Sequence, residues 1–420
     1  MLRPLIAGLA ALTVGGGTVV TVPTPVQPQS AYLVVYREGT DAGVKTTELE
    51  RRTGFHATHR YESVFPGFAA SLTVWQRDAV ARDRDVVSLH PDRSVRLVPP
   101  ERASRQASVA TGVARVGGGA HSSTVAVAVL DTGVDASHPD LTVRSGTNCL
   151  RPAGRASLGT SDDNGHGTHV AGTIGGAHGT GVAPGTTIYA VKVLDANGGG
   201  TIATVVCGVD WVTANAARLG IGVASLSLGM LGRADSDCGR TNGDPLHRAI
   251  CRSVASGVVY VVAAGNDRLD LARSVPAAYP EVLAVTAMSD TDGAPGGKGP
   301  SSACGGPRDR DDAAASFSNF ATKTSDAGRV VAAPGVCIRS TWPGGRYATL
   351  SGTSMAAPHV AATVALCIGS GRCRGSPADI ARQVRADAAA HATATNGFTG
   401  DERHGTTGRW YGDLIWTGGY

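Results

Sequence analysis

The chain has 420 residues, of which 42% are hydrophobic and only 5% aromatic, and it contains 57 glycines. This length and apolar content predict one large α/β core with a small additional domain. The net charge of +4, without any run of basic residues, argues against nucleic-acid binding.

The eight cysteines are an even set without a Cys-x-x-Cys pair or a Cys/His cluster of metal-binding spacing. They predict disulfides and an oxidising compartment, although scattered buried thiols would give the same count. The pairing that keeps loops short joins Cys238 with Cys251, Cys304 with Cys337 and Cys367 with Cys373, which leaves Cys149 with Cys207. Spacing alone leaves this connectivity open.

Residues 1–30 are predicted to be a signal peptide and a linker. Arg3 precedes the apolar stretch 5–14, which is too short and too interrupted by glycine for a stable membrane span. No clear Ala-x-Ala site follows, so a cut anywhere between Gly17 and Ser30 stays open. No other stretch of the sequence could cross a membrane, and we expect a secreted, extracellular protein.

Residues 31–98 are predicted to form a small α+β domain. Strands are expected at 32–36, 68–74 and 86–89, with helices at 46–53 and 76–83. This succession fits the strand–helix–strand–strand–helix–strand order of a ferredoxin-like unit, which an independent binding domain would also show. The following residues, 99–108, are charged and contain Pro99 and Pro100, which keep the chain extended.

Three polar residues at the ends of apolar segments predict acyl-transfer chemistry. Asp131 closes a buried strand, where an α/β enzyme places catalytic groups, although a lone Asp there is usually a cap or turn residue. His166 stands between two glycines before a small-residue helix, and a lone His is usually structural. Ser354 lies in the first turn of another such helix, whose field favours a developing anion, or it merely caps that helix. A serine needs a base and an orienting acid to become a nucleophile, and Asp, His and Ser occur in that chain order in one known form of the catalytic triad.

Two further strands end near polar or small residues. The strand 261–264 is followed by Gly265 and Asn266, whose side-chain amide could donate to an oxyanion, although a turn-forming Asn is the common alternative. The stretch 225–229 is predicted to be another strand.

The segments Asp131-Thr132-Gly133, His166-Gly167-Thr168-His169 and Gly352-Thr353-Ser354-Met355-Ala356 resemble the three signature blocks of the subtilisin-like serine proteases. The similarity runs from about Val109 onward and is greatest to the proteinase K-like branch. It implies a subtilisin-like three-layer α/β fold with a mostly parallel central sheet over residues 109–420. It also implies that Asp131 orients His166, that His166 acts as base and then acid, and that Ser354 attacks the scissile carbonyl.

The same resemblance assigns the remaining site residues. Asn266 and the backbone N–H of the serine would form the oxyanion hole. The substrate would pair as an added strand with Gly198, Gly199 and Gly200, which could otherwise be only a flexible loop. Ser227, Leu228 and Gly229 would face Ala264 and Gly265 across the primary specificity pocket. These apolar walls predict broad specificity, with a preference for large apolar or aromatic residues before the scissile bond.

Residues 31–98 resemble the inhibitor propeptide that precedes such enzymes, through segments 67–70 and 91–95. The implied protein is a secreted precursor that processes itself within residues 99–108, at a bond the sequence leaves open, and that is inhibited by its own propeptide. Its other partners would be polypeptide substrates.

No cofactor is required for this chemistry, and a structural calcium ion is left open. Many relatives hold a cation with a carboxylate just before an Ala-Pro-Gly turn, where this chain has Val330. The stretch 289–315 is expected to be a long surface loop. Its acidic segment 309–312 could bind calcium, but a solvated charged loop is the expectation.

Two other functions are consistent with parts of the sequence. A non-catalytic secreted binding protein could keep its propeptide in the cleft, but every catalytic position is intact. A lipase or esterase would need a Gly-x-Ser-x-Gly elbow with its serine ahead of the Asp and His, and Ser354 has neither.

Overall fold

The computed structural model describes residues 28–98, 111–151, 159–300, 309–392, 398 and 408–420. The predicted signal peptide and the processing region 99–108 therefore lie outside the described residues. In chain order the elements are β1 (Gln29–Tyr36), α1 (Ala42–Thr53), β2 (Ala57–Tyr61), β3 (Gly67–Thr73), α2 (Val74–Ala81), β4 (Val86–Pro91), β5 (Ser94–Leu97), α3 (Thr111–Arg115), β6 (Ala126–Asp131), β7 (Val143–Asn148), α4 (His166–Gly175), β8 (Ile188–Lys192), β9 (Gly199–Thr201), α5 (Ile202–Leu219), β10 (Ile221–Leu226), β11 (Leu228–Leu231), α6 (Pro245–Ala255), β12 (Val259–Ala263), a 3-10 turn (Leu271–Arg273), β13 (Ser274–Val275), β14 (Leu283–Ser289), β15 (Ala313–Ala314), α7 (Thr324–Ala327), β16 (Val330–Pro334), β17 (Ile338–Trp342), β18 (Arg346–Leu350), α8 (Thr353–Gly369) and α9 (Pro377–His391).

The N-terminal domain is the predicted ferredoxin-like unit. Its antiparallel sheet has the order β2-β3-β1-β4, and α1 and α2 pack against it. The helices begin at capping residues, Asp41 for α1 and Thr73 for α2, whose side-chain oxygens accept backbone N–H groups of the first turn. The strand between 57 and 61, which the sequence pattern did not single out, completes the sheet.

The large domain is built on a mostly parallel sheet of order β15-β14-β12-β10-β6-β8-β7, with β16 pairing to β14. Only the short β15 runs antiparallel within this sheet. Every residue of β6 and β12 is buried, as expected for parallel strands covered on both faces. Successive residues of β6 enter different clusters: Val127 and Val129 pack with α4 and α8, whereas Ala128 and Leu130 pack with α5 and α6. The predicted three-layer fold is therefore confirmed.

The N-terminal domain packs on the α5 layer of the large domain. Leu33 of β1, Tyr61 of β2 and Phe65 in the connection to β3 belong to the same hydrophobic cluster as α5 and α6. The Tyr61 hydroxyl donates to the Ala203 carbonyl oxygen over 3.1 Å. This packing directs the end of the N-terminal domain, strand β5, into the large domain.

Three of the predicted disulfides join residues that the structure describes: Cys149 with Cys207, Cys238 with Cys251, and Cys367 with Cys373. The pairing based on short loops is confirmed for these six residues. Cys304, the predicted partner of Cys337, lies outside the described residues.

The expectation of a solvated acidic loop at 309–312 is wrong. Asp309, Asp311 and Asp312 are at most 7% exposed. Arg115 donates to Asp312 Oδ1 over 2.7 Å, and backbone N–H groups of the neighbouring glycine-rich turn donate to Asp311 and Asp312. Because these donors replace water, the carboxylates are buried with partners.

The predicted strand 225–229 is divided at Ser227, between β10 and β11. The break leaves the Ser227 carbonyl available for contacts outside the main sheet. In the described part of the chain, no helix is both long enough and apolar enough to cross a membrane.

Candidate active site

Asp131 and His166 come together as the sequence predicts. Asp131 ends β6, and His166 begins α4. His166 Nδ1 donates to Asp131 Oδ1 over 2.9 Å, and the Thr132 N–H donates to the same oxygen over 2.7 Å. Both side chains are buried. Because Nδ1 carries the proton toward the carboxylate, Nε2 is the nitrogen that can accept one.

Asp162, which the sequence analysis missed, joins the strand end to the helix start. Its Oδ1 accepts from Thr132 Oγ1 and from the Gly165 N–H, each over 2.8 Å. Its Oδ2 accepts from both the N–H and the hydroxyl of Thr168. The Gly167 N–H in turn donates to Thr132 Oγ1 over 3.0 Å. An Asp four residues before His166, just ahead of a helix, was a capping signal that could have identified it.

Ser354 is the second residue of α8, which packs directly against α4. The serine is fully buried, and its hydroxyl lies 3.3 Å from the carbonyl oxygens of Val98 and Ser227. Among the described residues, His166 Nε2 has no hydrogen-bond partner. The serine hydroxyl is thus within reach of two carbonyl oxygens, one of them in the segment after β5, and is not hydrogen-bonded to the imidazole.

Asn266 lies beside Ser354 and is held by its carbonyl end. Asn266 Oδ1 accepts from the N–H and from the hydroxyl of Thr353, both over 2.9 Å. These contacts fix the orientation of the amide and therefore of its NH₂ end. Thr353 Oγ1 also accepts from the Gly265 N–H over 3.1 Å. Thr353 is a supporting residue that the motif contained but the sequence analysis did not assign.

Asn319 is a second residue that sequence reasoning missed. It is fully buried, its Nδ2 donates to the Ala264 carbonyl, and its Oδ1 accepts from the N–H groups of Asp267 and Leu269. Asn319 therefore binds the chain both before and after Asn266. No short-range pattern marked it, because its partners lie about fifty residues away in the chain.

The predicted substrate edges flank strand β5 of the N-terminal domain. On one side β5 pairs antiparallel with β9, which places Val95 opposite Gly200 and Arg96 opposite Gly199. On the other side it pairs with β11, which places Leu97 opposite Leu228 and Arg96 opposite Gly229. The Leu97 N–H donates to the Gly198 carbonyl over 2.9 Å, and the Val98 N–H to the Ser227 carbonyl over 3.4 Å. All six predicted edge residues therefore lie along one extended segment of the same chain.

The remaining predicted pocket residues lie close to Ser354. Ala264 follows β12 and is fully buried, and Gly265 contacts Thr353 as described above. Ser227 Oγ donates to the Ser354 carbonyl over 3.0 Å. Strand β11 and the loop after β12 are thus both tied to the start of α8.

Two other histidines near the site are neutral at ordinary pH. Burial lowers the pKa of His169 to about 3, and His169 Nε2 lies 3.0 Å from the Ile338 carbonyl oxygen. Burial also lowers the pKa of His359 to about 4, and its Nδ1 lies 2.9 Å from the Met355 carbonyl oxygen. Because both rings stay uncharged, they add no positive charge beside His166.

The residues best placed to hold a metal ion in the described ranges are Asp290, Asp292 and Asp311, whose oxygens lie within 4.8 Å of one another. Several of these oxygens already accept other donors: Asp311 from Thr291 and Gly299, and Asp290 from the Gly293 N–H. Val330 is buried in β16 and offers no side-chain ligand. These three carboxylates thus form a hydrogen-bonded cluster, and no metal is assigned to it.

Comparisons with known proteins agree with this geometry. Residues 122–406 match the model of the Subtilase family, and residues 36–98 match that of the peptidase inhibitor I9. M-protease of Shouchella clausii (strain KSM-K16) is 35% identical over 327 residues, covering 76% of this chain and 72% of that protein. Subtilisin E of Bacillus subtilis (strain 168) is 35% identical over 305 residues, covering 69% of each. A crystal structure of a cold adapted subtilisin-like serine proteinase is similar with a TM-score of 0.55 and 29% identity, over 74% of this chain and 99% of that one.

Proposed function

The chain belongs to the subtilase family and is a serine endopeptidase, and we propose that it hydrolyses peptide bonds through Asp131, His166 and Ser354. One observation carries this assignment. The hydroxyl of Ser354 lies 3.3 Å from the carbonyl oxygen of an extended, strand-paired segment, while His166 is joined to Asp131 over 2.9 Å. A nucleophile, an oriented base and a bound peptide carbonyl thus share one cleft.

In the proposed mechanism, His166 Nε2 takes the proton of Ser354 Oγ as the oxygen attacks the carbonyl carbon. Asp131 keeps the proton on Nδ1 and stabilises the imidazolium that forms. The imidazolium then protonates the leaving amine, and an acyl-enzyme remains on Ser354. Water repeats the sequence on this ester and releases the acid.

We assign the oxyanion hole to Asn266 and the backbone N–H of Ser354. The support is the fixed amide of Asn266, held through Oδ1 by Thr353 next to the nucleophile. Loss of one such donor lowers kcat by about 10²–10³-fold, a range that itself comes from a subtilisin.

We assign substrate binding to the two edges that flank β5. Gly198, Gly199 and Gly200 would pair with one side of the substrate backbone, and Ser227, Leu228 and Gly229 with the other. Together with Ala264 and Gly265, the second edge would form a pocket with small, apolar walls. Such walls support a preference for large apolar or aromatic residues before the scissile bond, without a demand for charge.

We propose that the protein is made as a secreted precursor. Residues 1–30 would be the signal peptide and linker, 31–98 the propeptide, 99–108 the processing region and 109–420 the peptidase domain. The disulfides support an oxidising compartment, and β5 in the cleft supports inhibition by the propeptide. Self-processing would then release the active enzyme.

The test is the substitution Ser354→Ala, with Ser370→Ala at the far end of α8 as a matched control. We expect Ser354→Ala to lower peptidase activity by about 10⁶-fold, the loss seen when a subtilisin loses its nucleophile, and to leave the propeptide attached. The control should be processed and active. Full processing of Ser354→Ala, expressed alone in a protease-free system, would overturn self-processing.

A further inference from the structure

The hairpin of β17 and β18 contacts the segments that carry the proposed acid and base. At its tip, the Gly344 N–H donates over 2.8 Å to Oδ2 of Asp135, in the loop that follows Asp131. Along β17, the hydroxyl groups of Ser340 and Thr341 donate to carbonyl oxygens in the first turn of α4, each over 2.8 Å. These hydrogen bonds attach the hairpin both to the loop after β6 and to the helix that begins with the base.

The same hairpin is joined to the segment of the nucleophile. A short connection leads from β18 to α8, whose second residue is Ser354. Just ahead of that helix, the Gly352 N–H donates to the Gly335 carbonyl oxygen over 2.7 Å. The Cys337 N–H donates to Ser351 Oγ over 2.9 Å. Because the hairpin is bound to α4 and continuous with α8, its position fixes the starts of these two helices relative to each other.

Trp342, the last residue of β17, packs on the residue before His166. A Cβ added to Gly165 would overlap the indole carbons Cζ2, Cη2 and Cε2 of Trp342, so the ring lies against the bare Cα of this glycine. Gly165 is the N-cap of α4 and has a φ of +111°. Because glycine permits many backbone conformations, nothing in Gly165 itself prevents a rotation there. The indole blocks such a rotation on the side where it packs.

The imidazole of His166 depends on this backbone for its position. Its Nδ1 is bound to Asp131 over 2.9 Å. Its Nε2, the nitrogen that must take the serine proton, has no hydrogen-bond partner among the residues that the structure describes. One hydrogen bond leaves a planar ring free to tilt, so the backbone from which the ring extends decides where Nε2 points. A misplacement of about 1 Å at this point costs roughly 10²-fold in rate.

We propose, on the basis of the function proposed above, that Trp342 is a positioning residue for His166. Its indole holds the backbone of Gly165 and thereby directs Nε2 toward Ser354. The hairpin that carries Trp342 also leads to the serine, so one element sets the positions of both base and nucleophile. The proposed substrate edges lie on other strands, β9 and β11. Loss of the indole therefore lowers the rate of the chemical step rather than the binding of substrate.

The first test compares the steady-state kinetics of the processed wild type with those of Trp342→Ala and Trp342→Phe. Trp211→Ala is the matched control, because Trp211 is also half-buried but lies on α5 against Tyr189 of β8. We expect Trp342→Ala to lower kcat by about 10²-fold with little change in KM. Trp342→Phe keeps an aromatic ring beside Gly165 and should recover most of this loss. The control should keep the wild-type kcat.

A double-mutant cycle separates the contact from a general loosening of the fold. Gly165→Ala places a Cβ against the indole, so it should lower kcat more in wild type than in Trp342→Ala, where the ring is gone. The strain of an alanine at a φ of +111° is common to both backgrounds and cancels. Additive losses of kcat would overturn the proposal, as would a Trp342→Phe variant no faster than Trp342→Ala.

A fluorophosphonate probe separates this proposal from the proposed function. The bond from Ser354 Oγ to phosphorus forms, fluoride leaves, and His166 takes the serine proton, so the labelling rate depends on the position of the base. We expect Trp342→Ala to be labelled about 10²-fold more slowly than wild type. Equal labelling rates would overturn the positioning role and leave the peptidase function standing. A folded, processed wild type that is never labelled would overturn the peptidase function itself.

Discussion

Asp131 and Asp162 are neighbouring carboxylates with different roles. Asp131 contacts the imidazole of His166, whereas Asp162 binds backbone and hydroxyl donors on both sides of the pair. Asp162 reaches none of the reacting atoms, so it is a positioning residue. Its hydrogen bonds join the end of β6 to the start of α4 and thereby keep Asp131 and His166 at a fixed distance.

We expect Asp162→Ala to lower kcat by about 10²-fold with little change in KM, because the imidazole loses its support while the substrate edges stay intact. Asp162→Asn retains an acceptor oxygen for Thr132 and Gly165 but turns its NH₂ group toward the Thr168 N–H, so its kcat should lie between those of wild type and Asp162→Ala. Active-site titration normalises each rate to the folded enzyme. Equal loss of kcat in both variants would contradict a positioning role, as would an unchanged Ala variant.

Gly198 is required by the chain segment that lies against it. Its φ is +73°, and a Cβ there would lie 2.5 Å from Leu97 Cδ1. Leu97 immediately precedes Val98, whose carbonyl oxygen lies 3.3 Å from Ser354 Oγ, so it corresponds to the second residue before the scissile bond of a substrate in the same register. A side chain at 198 would therefore meet the corresponding residue of any substrate that binds in the same register.

We expect Gly198→Ala to raise KM more for peptides with Leu at this second position than for peptides with Gly there. The matched control is Gly220→Ala, because Gly220 also has a positive φ of +66° but no atom within 4 Å of its added Cβ. The control should keep the wild-type KM for both peptides. Steady-state kinetics with the two peptides measures the difference, and an equal rise in KM for both would contradict the proposed contact.

At the scale of elements, α5 links the N-terminal domain to the sheet. It begins with a capping box at Thr201, directly after β9, and is followed by Gly220 in a left-handed conformation. On its outer side, Asp210 Oδ1 accepts the backbone N–H groups of Glu62, Ser63 and Val64 at 3.1, 2.8 and 3.0 Å. One helix thus supports the proposed substrate edge at its start and the N-terminal domain along its length.

We expect Asp210→Ala to loosen the N-terminal domain, since hydrogen bonds to a charged group contribute about 1.5–3 kcal/mol each. Hydrogen exchange in the inactive Ser354→Ala precursor measures this directly. The amides of Glu62, Ser63 and Val64 should lose protection. Asp237→Ala, which removes an exposed carboxylate elsewhere on the surface, should leave them unchanged. Retained protection of these amides in Asp210→Ala would show that the acceptor is dispensable.

For the whole molecule, two buried neutral histidines predict loss of stability in acid. The native pKa values of His169 and His359 are about 3 and about 4, whereas both rings titrate near 6.5 when unfolded. Between these values each ring binds more protons in the unfolded chain than in the native protein. The contribution of these two rings to stability is therefore complete above about pH 6.5 and is lost as the pH drops toward 4.

We expect the free energy of unfolding to fall by up to ~1.4 kcal/mol per pH unit for each ring over this interval, on the order of 3 kcal/mol in total for His359. His359→Asn keeps a side-chain donor but cannot take up the proton. Denaturant unfolding of Ser354→Ala precursors at several pH values compares the two slopes. The slope of the unfolding free energy against pH should be smaller in His359→Asn, by at most the ~1.4 kcal/mol per pH unit that one proton contributes. Identical slopes would contradict a neutral buried His359.

Local sequence patterns were sufficient for the layers of the fold. Apolar runs ending at Asp131 and Ala264, and small-residue helices after His166 and Ser354, predicted buried parallel strands and the helices that cover them. The loop at 309–312 could not be predicted this way, because its burial depends on Arg115, almost two hundred residues earlier in the chain. When the partner of a charged segment is distant in the chain, the local sequence predicts that the segment is exposed to solvent.

By itself, the sequence determined the family, the chemical type of each candidate residue and the order of the two domains, because these depend on local motifs and periodicity. Only the tertiary structure decided which distant groups contact the site. Asp162 binds the residues around His166, Asn319 binds the loop that carries Asn266, and the Val98 carbonyl lies against Ser354. Their hydrogen bonds join residues from different elements, whose positions follow from the packing of the whole sheet and its helices. The physical reason is that hydrogen-bond geometry depends on distances of a few ångströms between chain segments, and spacing along the sequence does not specify those distances.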